Sequence, residues 1–63
     1  MSTYRILYLR GGLLDGTEEV ATDDLVAVTR TACATRPHLT AEIWRDGRKV
    51  AVVHPCKQHR FKL

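Results

Sequence analysis

The chain has 63 residues, enough for one domain but too few to bury a large hydrophobic core. Its composition, 44% hydrophobic and 27% charged, is typical of a globular domain and argues against intrinsic disorder. No apolar run approaches the roughly 20 residues that a membrane span needs, and the first residues lack the apolar segment of a signal peptide. We therefore expect a cytoplasmic protein with reduced cysteines and no membrane contact.

The basic surplus of the chain lies at its C-terminus. The formal net charge is +3, and residues 1–56 contain seven basic and seven acidic side chains. The surplus therefore comes from Lys57, Arg60 and Lys62. We predict one domain over residues 1–55 and a basic tail over residues 56–63, and the sequence leaves open whether the tail is ordered.

The first predicted element is a strand from Thr3 to Arg10, where Tyr, Ile and Leu are dense. Side chains alternate between the two faces of a strand. The two resulting sets are Tyr4, Ile6 and Tyr8 on one face and Arg5, Leu7 and Leu9 on the other. Because both sets are substantially apolar, the pattern is typical of a central strand.

Two turn signals follow this strand, and the sequence does not choose between them. If Asp15-Gly16 forms the turn, Gly11-Gly12 becomes a bulge or bend in the first strand. If Gly11-Gly12 forms the turn, the loop is wider and Leu13-Leu14 is exposed. In either case Thr17 to Ala21 predicts a short acidic strand, whose charges suit the edge of a sheet.

A helix is predicted to begin near Thr22 and Asp23, either of which can cap its free backbone N–H groups. Its apolar stripe consists of Leu25, Val28 and Ala32. The helix should end at Arg36-Pro37, because the residue before a proline avoids the helical region.

The last predicted element is a hairpin over Thr40 to His54 that turns at Asp46-Gly47, the strongest short-range hairpin signal. A regular two-residue turn fixes the cross-strand pairs. The predicted pairs are Arg45 with Arg48, Trp44 with Lys49, Ile43 with Val50, Glu42 with Ala51 and Ala41 with Val52. The predicted core face holds Ala41, Ile43, Val50 and Val52, and the other face holds Glu42, Trp44, Lys49, Ala51 and Val53.

The element order predicts an α+β domain of ββαββ topology, with a four-stranded, mostly antiparallel sheet and one helix on one face. The chain resembles a group of short uncharacterised bacterial ββαββ proteins. The residues that carry the resemblance are Tyr4 to Leu9, Thr22-Asp23-Asp24 and the segment Glu42 to Val50, which is similar to an ELW-x-G-x-R-x-V-like hairpin. The resemblance implies the same fold and brings no known activity.

Few residues have the spacing of a chemical site. His54, Cys56 and His59 lie close in sequence, but their spacing is not a strong zinc pattern. No catalytic motif, P-loop or dinucleotide fingerprint is present. We therefore predict a protein that is not an enzyme, with no cofactor and no assigned metal site, and the sequence leaves open whether His54, Cys56 and His59 bind metal.

The sheet face away from the helix is the predicted functional surface. Exposed apolar patches usually mark an interface, and aromatic residues are enriched in binding hot spots. We predict a protein-interaction module that forms a homodimer or binds and regulates a larger protein. The predicted interface residues are Trp44, Lys49, Val53, Tyr4 and Tyr8. The alternative is weak binding of single-stranded nucleic acid through Trp44 and the tail residues Lys57, Arg60, Phe61 and Lys62.

Overall fold

The structure is a computed structural model, and it describes residues 2–55. Its elements are β1 (Thr3–Arg10), β2 (Leu13–Ala21), α1 (Leu25–Thr35), β3 (Thr40–Arg45) and β4 (Arg48–Val53). The strands form one sheet in the order β2-β1-β3-β4, with every neighbouring pair antiparallel. The predicted ββαββ fold is therefore confirmed. No helix within residues 2–55 is long and apolar enough to cross a membrane.

The central strand β1 supplies much of the core. It has the predicted bounds and pairs with both β2 and β3. Tyr4, Ile6 and Tyr8 are all buried and belong to one apolar cluster with Val28 and Ala32 of α1. The helix therefore covers the Tyr4, Ile6 and Tyr8 face of the sheet. The remaining buried members of this cluster are Leu39, Ala41 and Ile43.

The first hairpin turns at Gly11-Gly12. Both residues have positive φ, +59° and +85°, which only glycine adopts at little cost. Arg10 pairs with Leu13 directly across this turn, so the loop has two residues and is not wide. β2 consequently begins four residues before the predicted Thr17. Farther along the ladder, Asp15 has no partner in β1 and forms a bulge between two normal pairs.

The helix begins later than the sequence suggested. Its N-cap is Asp24, whose carboxylate accepts a hydrogen bond of 2.9 Å from the Val26 N–H. The two predicted caps have other roles: Thr22 Oγ1 accepts from the Asp24 N–H, and Asp23 Oδ1 accepts from the Ser2 N–H. The acidic run therefore ties the start of α1 to the N-terminus as well as capping the helix.

The second hairpin turns at Asp46-Gly47 as predicted, with φ of +53° and +76°. Two cross-strand pairs also agree with the prediction, namely Arg45 with Arg48 next to the turn and Trp44 with Lys49. Beyond them, Ile43 pairs with Ala51 and not with Val50. Val50 is thus an extra residue in β4, a second bulge in the sheet.

The Val50 bulge overturns the predicted faces of β4. A shift of one residue sends every later side chain to the opposite face. Ala51 and Val53 therefore pack against the core beneath the helix, where they are partly buried. Val52 points to the opposite face and is 42% exposed. The predictions of Val50 and Val52 on the core face, and of Ala51 and Val53 on the other face, were therefore wrong.

Candidate functional site: the open face of the sheet

One face of the sheet is covered by α1, and we call the opposite face the open face. No helix or strand among residues 2–55 covers it. It carries the alternate side chains of β1, namely those of Arg5, Leu7 and Leu9, together with the residues paired with them on the neighbouring strands. Because directly paired residues of an antiparallel ladder lie side by side on one face, the open face consists of rows that cross the sheet.

The first row lies nearest the Asp46-Gly47 turn and combines charge with an aromatic ring. In the order β2, β1, β3, β4 it consists of Glu19, Arg5, Trp44 and Lys49. The Arg5 guanidinium lies 2.9 Å from a Glu19 carboxylate oxygen, with these side chains 60% and 59% exposed. Exposed pairs of this kind contribute only about 0–1 kcal/mol to stability. Because both side chains are mostly exposed, their charges are accessible to a partner.

The second and third rows are mostly apolar. The second row consists of Thr17, Leu7, Glu42 and Val52, and the third consists of Leu14, Leu9 and Thr40 on the first three strands. Leu7 and Leu9 are half-buried by their neighbours, whereas Leu14 is 61% exposed. An apolar area therefore lies beside the charged first row.

Glu42 fixes the orientation of the tryptophan. The Trp44 Nε1–H donates to Glu42 Oε1 at 3.2 Å, and the Lys49 ammonium lies 3.6 Å from the other oxygen of the same carboxylate. Trp44 is half-buried, and this hydrogen bond links its indole to the Glu42 carboxylate on the same face. A ring that is already oriented loses little freedom when a partner packs on it.

A groove of about 500 Å³ runs along the first row. Arg5 and Glu19 line one side and Trp44 the other, with Leu7 in the lining and the hairpin turn at one end. The groove mixes an aromatic ring, an aliphatic side chain and two charge pairs, Arg5 with Glu19 and Arg45 with Asp46. Apolar and charged side chains therefore line the same groove.

Three of the five predicted interface residues lie elsewhere. Tyr4 and Tyr8 are 4% and 1% exposed on the helix face, and Val53 is half-buried there. The predicted location of these three on the open face was wrong, because α1 covers the tyrosine set of β1 and the Val50 bulge redirects Val53. Trp44 and Lys49 do lie together on the open face. The interface itself stays a prediction.

The two tyrosines have structural contacts at the edges of the core. The Tyr8 hydroxyl donates to Glu18 Oε1 at 2.8 Å, and the Arg36 guanidinium lies 5.3 Å from the centre of its ring. Arg45 donates to the Tyr4 hydroxyl at 3.1 Å. Burial, followed by the hydrogen bond to Glu18, raises the pKa of Tyr8 to about 12. Tyr8 is therefore neutral at physiological pH and acts as a donor in the fold.

Sequence reasoning did not place Leu14 or Val52 on the open face, and its predicted interface also left out Arg5, Leu7 and Glu19. Leu14 would have been found from a two-residue turn at Gly11-Gly12, which pairs it directly with Leu9 before the Asp15 bulge is reached. Val52 gave no such signal, because only the bulge at Val50 sends it to this face.

The structure tests the cysteine and metal predictions only in part, because some of the residues concerned lie outside residues 2–55. Within residues 2–55, no three His, Cys, Asp or Glu side chains lie close enough together to hold a metal ion. Cys56 and His59 lie outside the described residues, as do the predicted nucleic-acid residues Lys57, Arg60, Phe61 and Lys62. Cys33 of α1 is disulfide-bonded, which differs from the reduced cysteines that we expected.

The charges of the open face balance. Arg5 and Lys49 are matched by Glu19 and Glu42, each within an ion pair. Such a face carries no net charge, unlike the basic surface that binds a polyphosphate backbone. No family model, no curated protein and no solved structure matches the chain. The resemblance to short bacterial ββαββ proteins accordingly remains a hypothesis.

Proposed function

We propose that the protein is a small, non-enzymatic interaction module that self-associates through the open face. The observation that carries the proposal is an uncovered sheet face with Trp44 in its first row and the apolar side chains of Leu7, Leu14 and Val52 in the second and third rows. Small domains commonly gain stability by burying such a face against another chain. The balanced charges of the face suit a second copy, which presents the same numbers of acids and bases.

The size of the face sets the strength that we expect. Four strands about 4.8 Å apart, each rising about 3.3 Å per residue, give a footprint of about 400 Å² per copy. Stable interfaces usually bury about 800 Å² of accessible surface on each partner. We therefore expect a weak, concentration-dependent dimer rather than a permanent one.

Self-association can be tested by sedimentation equilibrium or by size-exclusion chromatography with light scattering across a wide concentration range. Trp44→Ala should shift the equilibrium toward monomer, because it removes the largest side chain of the face. Val26→Ala is the matched control, since Val26 is a 56% exposed apolar residue of α1. Each measurement is repeated with a reducing agent, so that a change at the Cys33 disulfide is not mistaken for dissociation.

The chain contains a single tryptophan, which gives a second readout. The fluorescence of Trp44 should shift to shorter wavelength as protein concentration rises, because a second copy excludes water from the indole. A protein that stays monomeric at every concentration, with unchanged Trp44 emission, would refute self-association. A larger protein would then be the remaining kind of partner for the face.

Nucleic-acid binding through the tail remains the alternative prediction. It is supported by the concentration of the whole basic surplus in Lys57, Arg60 and Lys62, and not by the neutral open face. Replacing these three residues with alanine should abolish any affinity for single-stranded oligonucleotides at low salt, and the affinity should fall steeply as salt is added. No binding by the unaltered protein at low salt would eliminate this alternative.

A further inference from the structure

We propose that two copies pack open face against open face about a two-fold axis parallel to the strands, so that the first row of one copy lies on the reversed first row of the other. The inference rests on the proposed self-association and specifies its geometry. It follows from the sequence of residue types along the first row, which reads acid, base, aromatic and base across the four strands.

A closed dimer of this kind has two simple arrangements, because an isologous interface needs a two-fold axis and face-to-face packing puts that axis between the sheets. An axis parallel to the strands exchanges β1 with β3 and β2 with β4, and it keeps each row at its own level. An axis perpendicular to the strands lays each strand over its own copy, and it exchanges the first row with the third.

The parallel axis makes the first row complementary to itself. Arg5 of one copy meets Trp44 of the second, and Glu19 meets Lys49 of the second. Each contact occurs twice because of the symmetry. A guanidinium on an indole face is a favourable cation–π pair, and the acid and base form an ion pair across the interface. All four members of the row gain a partner.

The second row is compatible with the same axis. Thr17 meets Val52 of the second copy, and Leu7 meets Glu42. The Glu42 carboxylate is already directed toward Trp44 and Lys49 within its own copy, at 3.2 Å and 3.6 Å. Its methylene groups are therefore the part that Leu7 would contact.

The perpendicular axis gives a poorer match. It places Arg5 on Leu9 of the second copy and Glu19 on Leu14. Both charges would lose water without gaining a new partner, which is costly. Sheets that pack face to face stay aligned within about 30°, so the central pairs of the favoured arrangement remain close despite the twist.

The arrangement can be tested by exchanging charges. Glu19→Lys and Lys49→Glu each place like charges opposite one another at two symmetric contacts, and each should weaken dimerisation about tenfold. The double variant Glu19→Lys/Lys49→Glu should return the dissociation constant to near that of the unaltered protein. Both side chains are solvent-accessible, at 59% and 46%, so the variants should keep their fold, as far-UV circular dichroism will verify.

The double variant is informative because it does not repair contacts within one copy. The reversed charges still lie beside Arg5 and Glu42 of their own chain, where both pairs are now repulsive. Recovery of the dimer must therefore come from the second copy. A double variant that dimerises no better than either single variant overturns the proposed axis, while a dimeric unaltered protein still supports the proposed function.

The cation–π contact has its own test. Arg5→Gln should weaken the dimer and reduce the concentration-dependent shift of Trp44 emission. Arg48→Gln is the matched control, because Arg48 is an exposed arginine in the pair next to the turn and lies outside the first row. Equal effects of the two substitutions would contradict the arrangement. A monomeric unaltered protein would refute the proposed function and this inference together.

Discussion

The buried hydroxyl of Tyr8 should make the stability of the fold decline in alkali. Tyr8 is 1% exposed, and its hydroxyl donates to Glu18 at 2.8 Å. Its pKa is about 12 in the folded protein and 10.0 in an unperturbed tyrosine. Ionisation therefore favours the unfolded chain, and the stabilisation is complete below pH 10 and lost between about pH 10 and 12.

The magnitude follows from the two pKa values. At pH 11 the unfolded tyrosine is one unit above its pKa and the folded one is one unit below, so the folded state should have lost about 1.4 kcal/mol. Tyr8→Phe removes this dependence. It also removes a hydrogen bond to a charged group, which should cost about 1.5–3 kcal/mol at pH 8. The difference in stability between the two proteins should thus shrink by about 1.4 kcal/mol from pH 8 to pH 11.

Urea denaturation followed by circular dichroism at both pH values measures this difference. Other groups that titrate in alkali are shared by both proteins and cancel in the comparison. Glu18→Gln keeps a hydrogen-bond acceptor and removes the charge. The stability that this variant loses between pH 8 and pH 11 should therefore lie between the losses of the unaltered protein and of Tyr8→Phe. A difference between the unaltered protein and Tyr8→Phe that stays constant from pH 8 to pH 11 would refute the reasoning.

Three further predictions concern the stability of the fold. Asp24→Ala should destabilise it by about 0.5–2 kcal/mol through loss of the helix cap, whereas Asp24→Asn should cost much less; equal losses in denaturation would contradict the capping role. Gly47→Ala should cost about 1–2 kcal/mol, because the residue has φ of +76° with no atom near a new Cβ, while Gly47→Asn should be milder; a neutral alanine would show that the turn relaxes. Ile43→Ala should cost about 2–5 kcal/mol and Ile43→Val about 0.5–1.5 kcal/mol, because Ile43 is fully buried; thermal melts that rank the two in reverse would argue against its position in the core.

Local patterns in the sequence were sufficient for much of the fold. The bounds of β1 follow from a run of strand-forming residues, and the second turn follows from Asp46-Gly47, whose backbone conformation few other residue pairs adopt. The helix stop before Pro37 and the buried stripe of Val28 and Ala32 follow from equally local rules. These features depend on neighbours in the chain, which the sequence displays directly.

The errors concern choices that the tertiary structure makes. Both alternating sets of β1 are apolar, so periodicity could not tell which set α1 would cover. The polar ends of Tyr4 and Tyr8 are satisfied by Arg45 and Glu18, and these contacts are made only in the folded chain. The bulge at Val50 is likewise invisible locally, because a regular hairpin would bring Val50 opposite Ile43 equally well. The same error affected the predicted interface, which included Val53 of the core face and left out Val52 of the open face.

The two bulges bear on how far any assembly can grow. Asp15 interrupts β2 and Val50 interrupts β4, and these are the two edge strands of the sheet. A bulge bends an edge and breaks the regular spacing of its free N–H and C=O groups, so that a strand from another molecule cannot extend the ladder without a mismatch. Lateral addition is therefore disfavoured at both sides. A sheet that associates only through its face should stop at two copies, and we expect concentrated solutions of this protein to stay clear instead of forming fibrils.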